Sequence, residues 1–214
     1  MILPSMNSEE LVREIMKDYQ IVNRKGKYEL EKLRRPALKS RSRHVQRIFD
    51  YNSKNHNNWI IFCDYDMKDP LWYVAVHFVD KWGLQAYLVD EKQRVLYHYS
   101  GHFLHRFNER FLHETELSKI EILKRYLLKN ASAYIEVLPD TEKYQNPVFG
   151  RSREGVVLGN VEFRGLYSII HIKTFIAENM IFENQQVKFD YTSEHYKQYW
   201  DEVFKKRNQS AYEP

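Results

Sequence analysis

The sequence contains a single cysteine, Cys63, among its 214 residues. An intrachain disulfide is therefore impossible, which excludes the small secreted scaffolds that depend on such bonds. No run of about 18 apolar residues occurs, and no basic stretch followed by an apolar core stands at the N-terminus. These absences predict a cytoplasmic protein with no membrane partner.

The sequence also lacks the short motifs that carry the commonest enzyme chemistries. It contains no Walker loop, no Rossmann glycine pattern, no nucleophile elbow and no paired CxxC motif. Nucleotide hydrolysis and dinucleotide-dependent chemistry are therefore not supported, and the sequence predicts no cofactor.

Aromatic side chains, in contrast, are abundant, with 16 Tyr and 12 Phe in a chain that is 43% hydrophobic. Such a composition can form a packed core over most of its length. The length favours one domain with an appendage. We predict an N-terminal helical basic segment over residues 1–57, an α+β domain over residues 58–206 and a frayed tail over residues 207–214.

The N-terminal part reads as three helices. Asn7 and Ser8, followed by two glutamates, predict the start of a helix that continues to about Gln20. Gly26 is predicted to break the chain before a short helix over residues 28–34. Pro36 then fits the first position of a longer helix that ends in the Asn-rich stretch after residue 51.

From Trp59 onward the apolar period changes from that of helices to that of strands. Four runs rich in β-branched and aromatic residues predict an antiparallel meander over 59–65, 72–80, 84–90 and 95–99. Two helices, a strand over 133–138, a loop over 139–153 and a hairpin over 155–176 follow, and a final helix is predicted over 194–206. Gly155 and Gly159 inside the hairpin predict a bulge or a close backbone approach. The predicted fold class is therefore α+β, an antiparallel sheet flanked by helices.

Positive charge is concentrated in residues 24–47, which we call the basic segment. It contains ten Lys and Arg residues against two glutamates, a local balance of +8 in a chain whose net charge is +4. Such asymmetry is typical of proteins that bind RNA or another polyanion. A solvated helical face is the alternative interpretation. The candidate nucleic-acid-binding residues are Arg34, Arg35, Lys39, Arg41, Arg43 and Arg47.

Histidine and arginine side chains are concentrated in residues 101–113, which we call the His/Arg helix. If Ser100 caps an α-helix there, His102, Arg106 and Arg110 follow one another at intervals of four and form one stripe. An imidazole can move protons, and guanidinium groups can stabilise charge on phosphorus. Thr174, near the end of the last predicted strand, can donate a hydrogen bond to a phosphate oxygen.

Two other interpretations of this helix remain open. Arg106 and Arg110 can pair with Glu109, Glu114 or a carboxylate of the sheet while His102 only begins the helix. A metal site is the second alternative. Its histidines do not follow the His-Glu-x-x-His order and are not placed to converge on one ion, so we predict no metal.

The pattern His-x-x-x-Arg-x-x-x-Arg with an acid before the last arginine is formed by His102, Arg106, Glu109 and Arg110. It resembles the helix of small RelE-like domains and is similar to helices in phage-borne members of the barnase, EndoU, colicin and RelE ribonuclease group. The resemblance implies metal-independent RNA cleavage, with His102 transferring a proton and both arginines binding phosphate. Thr174 is compatible with that group.

Two functions follow as expectations. The first is a toxin-type or phage-type ribonuclease, in which the ribose 2′-hydroxyl attacks the neighbouring phosphate and the basic segment holds the RNA backbone. The second is a non-catalytic protein of a mobile element or a defence system that binds nucleic acid or a protein partner. A protein inhibitor is a further expected partner of the first.

Overall fold

The structure is a computed structural model that describes residues 1–41, 43–131, 133–142, 144–177 and 180. The helical elements are α1 (Ser8–Lys32), α2 (Arg34–Lys39), α3 (Gly101–Phe107), which continues as a π-helix (Asn108–Leu112), and α4 (Lys119–Asn130). The strands are β1 (His44–Asn52), β2 (Asn58–Asp66), β3 (Leu71–Asp80), β4 (Gly83–Asp90), β5 (Val95–Ser100), β6 (Tyr134–Val137), β7 (Pro147–Arg151), β8 (Gly155–Arg164) and β9 (Tyr167–Ala177).

These strands form one sheet in the order β1-β2-β3-β4-β5-β9-β8-β7-β6. The successive pairs from β1 to β5, and from β6 to β8, are antiparallel. The predicted α+β class, with its four-stranded meander β2–β5 and its later hairpin β8–β9, is confirmed. By contacts the chain divides into a first unit, residues 1–101 and 162–171, and a second unit, residues 102–161 and from 172 onward.

Helix α1 lies across the sheet of the first unit. The Asn7 side chain caps it by accepting a hydrogen bond from the Glu10 amide, and the Glu10 carboxylate accepts one from the Asn7 amide. The helix thus starts where the sequence predicted. One face of the helix packs on inward-facing residues of β2, β3 and β4. The fully buried members of this core include Ile15, Val22, Trp59, Ile61, Val74 and Val76.

The predicted end of the first helix at about Gln20 and the predicted break at Gly26 are wrong, because α1 continues to Lys32. The helix packs closely on the sheet at the glycine: a Cβ atom there would lie 2.7 Å from Trp72 Cδ1. The Cys63 thiol also contacts the Gly26 carbonyl oxygen at 3.6 Å. Tertiary packing thus outweighs the cost of about 1 kcal/mol that a glycine adds inside a helix.

The predicted long helix after Pro36 is also wrong. Helix α2 ends at Lys39, and His44–Asn52 forms β1, which pairs with β2 over its whole length. Val45, Phe49 and Tyr51 pack against the core beneath α1. Their spacing is compatible with an irregular helical face, but the β-branched and aromatic residues of this stretch suit a half-buried strand, and pairing with β2 decides the outcome.

A buried carboxylate joins the loop between β1 and β2 to α1. Asp18 is 2% exposed, and its oxygens accept hydrogen bonds from Ser53, Asn55 and Asn57, with Trp59 Nε1 at 3.4 Å. The Asn-rich stretch, which the sequence predicted to end a helix, therefore supplies hydrogen-bond donors to one carboxylate. This arrangement satisfies a charge that would otherwise be costly to bury.

In the second unit, Ser118 caps α4 through a capping box with Glu121. The predicted loop over 139–153 is partly wrong, because residues 147–151 form β7. This short strand contains a proline and a glycine, which are unfavourable in strands, so the sequence did not indicate it. Gly155 confirms the predicted close approach, since a Cβ atom there would lie 2.5 Å from the Ile176 carbonyl oxygen. The predicted helix over 194–206 and the tail over 207–214 lie outside the described residues.

In the part of the chain that the structure describes, no helix is both long enough and apolar enough to cross a membrane.

Candidate functional site

The His/Arg helix is not a regular α-helix. Helix α3 ends at Phe107, and Asn108–Leu112 has π-helical geometry. The amide of His113 accordingly donates to the Asn108 carbonyl, five residues back, at 2.8 Å. His102 and Arg106 therefore lie on the α-helical part, whereas Arg110 lies on the π-helical part.

One face of this helix packs into the core of the second unit. Phe103, Leu104 and Phe107 are fully buried. The ring of Phe107 packs edge-on against Tyr126 and Phe175, with centroids 5.0 Å away in both cases. Edge-to-face aromatic packing of this kind stabilises a core beyond the area it buries, so the helix has a rigid base.

The polar side chains of the helix have separate environments. His102 is exposed. Arg106 Nη1 donates to Glu109 Oε2 at 2.8 Å, and this hydrogen bond lowers the pKa of Glu109. Arg110 Nη1 donates to the Phe175 carbonyl at 2.6 Å and contacts Thr174 Oγ1 at 3.3 Å.

Two of the four predicted catalytic residues therefore meet, namely Arg110 and Thr174. Both arginines already have acceptors, since Arg106 holds a carboxylate and Arg110 holds a strand carbonyl. The pairing of Arg106 with Glu109 is the alternative arrangement that the sequence also allowed. Among the described residues, no group of three or more His, Cys, Asp or Glu side chains is placed to hold a metal ion.

The six candidate nucleic-acid-binding residues have a different environment. They lie on α2, in the turn that follows it and on β1, and all six are exposed. Residues 34–49 contain these six cations and no Asp or Glu. None of the six forms an ion pair with any residue that the structure describes. Their positive charge is therefore not neutralised within this part of the chain.

The nearest acids along the neighbouring strand are engaged elsewhere. Asp64 on β2 accepts hydrogen bonds from His44 and, at 2.7 Å, from Gln46 Nε2. Asp66 ends β2 and accepts from the Lys68 amide at 2.9 Å. Neither carboxylate contacts an arginine of β1, so Arg47, which stands opposite Cys63 in the register, stays available to a ligand.

A polar network that the sequence did not predict lies within the first unit. His98 on β5 and His171 on β9 contact each other through their Nδ1 atoms at 2.8 Å. Gln85 Oε1 contacts His98 Nε2 at 2.8 Å, and Glu162 Oε2 contacts His171 Nε2 at the same distance. The chain of contacts thus runs from Gln85 to Glu162.

The acceptors around Gln85 determine where the hydrogens lie. Its amide nitrogen faces Asp80 Oδ1 at 3.0 Å and the Gly83 carbonyl at 3.5 Å, so Oε1 must face His98. His98 Nε2 therefore carries a hydrogen, and its Nδ1 accepts one from His171. Burial lowers the pKa of His98 to about 3, with the neighbouring His171 adding to the shift, which agrees with an uncharged ring.

Glu162 lies at the other end of the network, where its Oε2 contacts His171 Nε2. Burial tends to raise the pKa of Glu162, but hydrogen bonds from His171, Ser8 and Arg164 outweigh it, and the net shift is downward. Residues 98 and 171 are 73 positions apart, so no local pattern could reveal the pair.

The fold and these environments define an α+β protein in which the six exposed cations of residues 34–47 have no ion-pair partner among the described residues. Comparison of the chain with protein-family models, with curated proteins and with solved structures gives no match.

Proposed function

We propose that this protein binds nucleic acid through the six exposed cations of the basic segment. The observation that carries the proposal is that none of them has an ion-pair partner among the described residues: six basic side chains follow one another without an acid, and all are exposed. Phosphate groups are the natural counter-charges for such a run, since binding releases the counterions condensed on the nucleic acid.

The structural alternative is a solvated surface with no ligand. Two features favour binding. Some other exposed cations of the chain pair with acids, as Lys17 does with Glu14 and Arg125 with Glu114, whereas none of the six pairs with a residue that the structure describes. The segment is also anchored, because α2 buries Ala37 and β1 is paired along its length with β2. Charges held on a rigid scaffold lose less freedom when a ligand binds.

The test is a direct binding measurement at several salt concentrations. The variant replaces Arg34, Arg35, Lys39, Arg41, Arg43 and Arg47 by Gln. For the wild type, six phosphate contacts predict a slope of log K against log salt of about −4 for single strands and about −5 for duplex DNA. The variant should lose most of that slope and bind at least about a hundredfold more weakly.

The matched control removes the same number of positive charges outside the segment. It replaces Lys54, Lys68, Lys81, Lys92, Lys119 and Lys129, all exposed, by Gln. Net charge then changes equally in both variants, so a purely global attraction would weaken both alike. Equal losses in the two variants, or no binding by the wild type, would refute the proposal.

A second candidate function is metal-independent RNA cleavage by His102, Arg106, Arg110 and Thr174. It is favoured by the contact of Arg110 with Thr174 and by the exposure of His102. In this reaction the 2′-hydroxyl attacks the adjacent phosphorus, the bond to the 5′-oxygen breaks, and a 2′,3′-cyclic phosphate and a free 5′-hydroxyl form. We rank it below binding because both arginines already hold acceptors of the protein itself.

Labelled RNA incubated with chelator tests the second candidate. The wild type should produce cyclic-phosphate ends, His102→Ala and Arg106→Ala should lose most of the rate, and DNA should stay intact because it lacks the 2′-hydroxyl. Arg106→Lys should also lose rate, since lysine lacks the planar fork of the guanidinium. Identical RNA patterns for all variants would exclude cleavage at this site.

A further inference from the structure

An exposed tyrosine lies within the basic segment, on the last turns of α1. Tyr28 is 54% exposed, although large aromatic side chains usually bury most of their surface. Two lysine ammonium groups lie over its ring in cation–π contacts, with Lys32 Nζ 4.2 Å and Lys25 Nζ 5.4 Å from the ring centroid, while more than half of the residue stays exposed. An aromatic ring and two cations thus share one patch of the helix surface.

A buried glutamate holds both lysines in place. Glu29 is 9% exposed and contacts Lys25 Nζ at 2.8 Å and Lys32 Nζ at 3.2 Å. These contacts, that of Lys25 first, lower the pKa of Glu29 and keep it charged. The two lysines and the glutamate sum to +1, so the patch stays positive while its cations are fixed beside the ring.

The helix beneath Tyr28 is fixed to the sheet. Trp72 Nε1 donates to Asn23 Oδ1 at 2.7 Å, and Gly26 packs so closely on Trp72 that no Cβ atom would fit without displacement. The Cys63 thiol contacts the Gly26 carbonyl two residues before Tyr28. The ring is therefore presented by a rigid element.

The patch is also continuous with the six unpaired cations. Leu33 ends α1 and begins α2, so Arg34 follows Lys32 after a single residue. From the other side, Arg47 stands opposite Cys63, whose thiol touches Gly26 of α1. Arg47 shares its face of β1 with Phe49, which packs on the core beneath α1, so its side chain rises on the helix side of the sheet.

From this arrangement we infer that Tyr28 is a stacking platform for a base of single-stranded nucleic acid, whose phosphates contact Arg34 and Arg47. The inference rests on the proposed function and narrows its ligand. A base in a duplex is covered by its neighbours, whereas a single strand can place a base on an exposed ring and its backbone on nearby cations. Every base offers a π-face, so such binding does not depend on sequence.

The test separates bases from phosphates. Affinity is measured for a thymidine oligonucleotide of about 12 nucleotides, for an abasic strand of the same length and for a duplex of the same length. The wild type should prefer the base-bearing single strand to the abasic strand by about tenfold. Tyr28→Ala should abolish this preference and leave affinity for the abasic strand and for the duplex unchanged.

Two variants serve as controls. Tyr28→Phe keeps the ring and should keep the preference. Tyr144→Ala removes a tyrosine that is 61% exposed outside the basic segment and should change nothing. The same measurements repeated with uridine oligonucleotides show whether RNA and DNA are bound alike, as stacking without hydrogen-bond recognition predicts.

The outcomes distinguish this inference from the proposed function. If Tyr28→Ala leaves the preference for bases intact, or weakens all three ligands equally, the stacking site is refuted while binding by the six cations stands. The same holds if the wild type binds the abasic strand as tightly as the base-bearing one. If the wild type binds none of the ligands, both proposals are wrong.

Discussion

The basic segment and the His/Arg helix are both rich in cations, yet the protein treats them differently. In the His/Arg helix, Arg106 is paired with Glu109, and Arg110 donates to a strand carbonyl. In residues 34–47 the six cations are exposed and unpaired within the described chain. The first group of charges bonds to other groups of the fold, whereas the second has no ion-pair partner among the described residues.

The comparison shows that a pattern of charged residues is not sufficient to identify a binding site. The His/Arg helix has the more suggestive spacing, because an imidazole and two guanidinium groups recur at regular intervals. The basic segment has no such regularity. What separates them is the supply of acceptors: Glu109 and the end of β9 provide them to the helix, while residues 34–49 contain no acid.

The largest expected effect concerns Asp18, whose buried carboxylate accepts hydrogen bonds from three side chains. Asp18→Asn keeps the shape of the side chain but turns one acceptor oxygen into a donor facing Ser53 or Asn57. Stranded buried donors should lower the free energy of unfolding by about 3 kcal/mol. Urea denaturation measures this value. The control is Glu9→Gln on the same helix, where the carboxylate is exposed; an equal loss there would contradict the assignment.

The second effect concerns pH. The folded state lowers the pKa of His98 from 6.5 to about 3, so below pH 6.5 the unfolded chain binds a proton that the folded one does not. Stability should therefore fall on acidification by up to about 1.4 kcal/mol per pH unit from this residue. The lowered pKa of Glu162 adds a loss only below about its ordinary value of 4.5.

Replacing the ring isolates this contribution. His98→Gln cannot titrate, yet it can still donate and accept a hydrogen bond. Its free energy of unfolding should depend less steeply on pH than that of the wild type between pH 6.5 and 5. Denaturant midpoints measured across that range provide the comparison. Parallel curves for the two proteins would show that His98 is not held uncharged.

The smallest effects compare the cations directly. Arg110→Gln loses a hydrogen bond to a half-buried carbonyl and should lower the free energy of unfolding by about 1–2 kcal/mol. Arg106→Gln loses only an exposed ion pair and should cost less than about 1 kcal/mol. The variant with six glutamines in residues 34–47 should unfold within about 0.5 kcal/mol of the wild type. A clear loss of stability in that variant would show that the fold uses these charges as well.

Local signals predicted a large part of the architecture. The start of α1 was predictable because its capping residues Asn7 and Glu10 are only three positions apart, and the meander was predictable because its strands are rich in β-branched and aromatic residues. The secondary-structure predictions for Gly26 and residues 44–52 are wrong for the same reason. Their conformation depends on Trp72 and on pairing with β2, which the local sequence does not specify.

The candidate sites show the same division. The exposure of the six cations was predictable, because a run of Arg and Lys without acids has no local partner. The contact between Arg110 and Thr174 joins residues 64 positions apart, and both had been singled out from the sequence, but the carbonyl of Phe175 as the main acceptor of Arg110 had not. The π-helical turn that contains Arg110 also left no sequence signal.

The amino-acid sequence alone determined where charge accumulates, where helices are capped and which runs alternate like strands, because these properties depend on neighbours in the chain. Only the tertiary structure decided which charged side chains bond to other groups of the protein. Whether a guanidinium finds a carbonyl, a carboxylate or open solvent depends on residues brought together by the sheet, as the pairing of His98 with His171 also does. The free charges of the basic segment are those for which the described part of the fold provides no such acceptor.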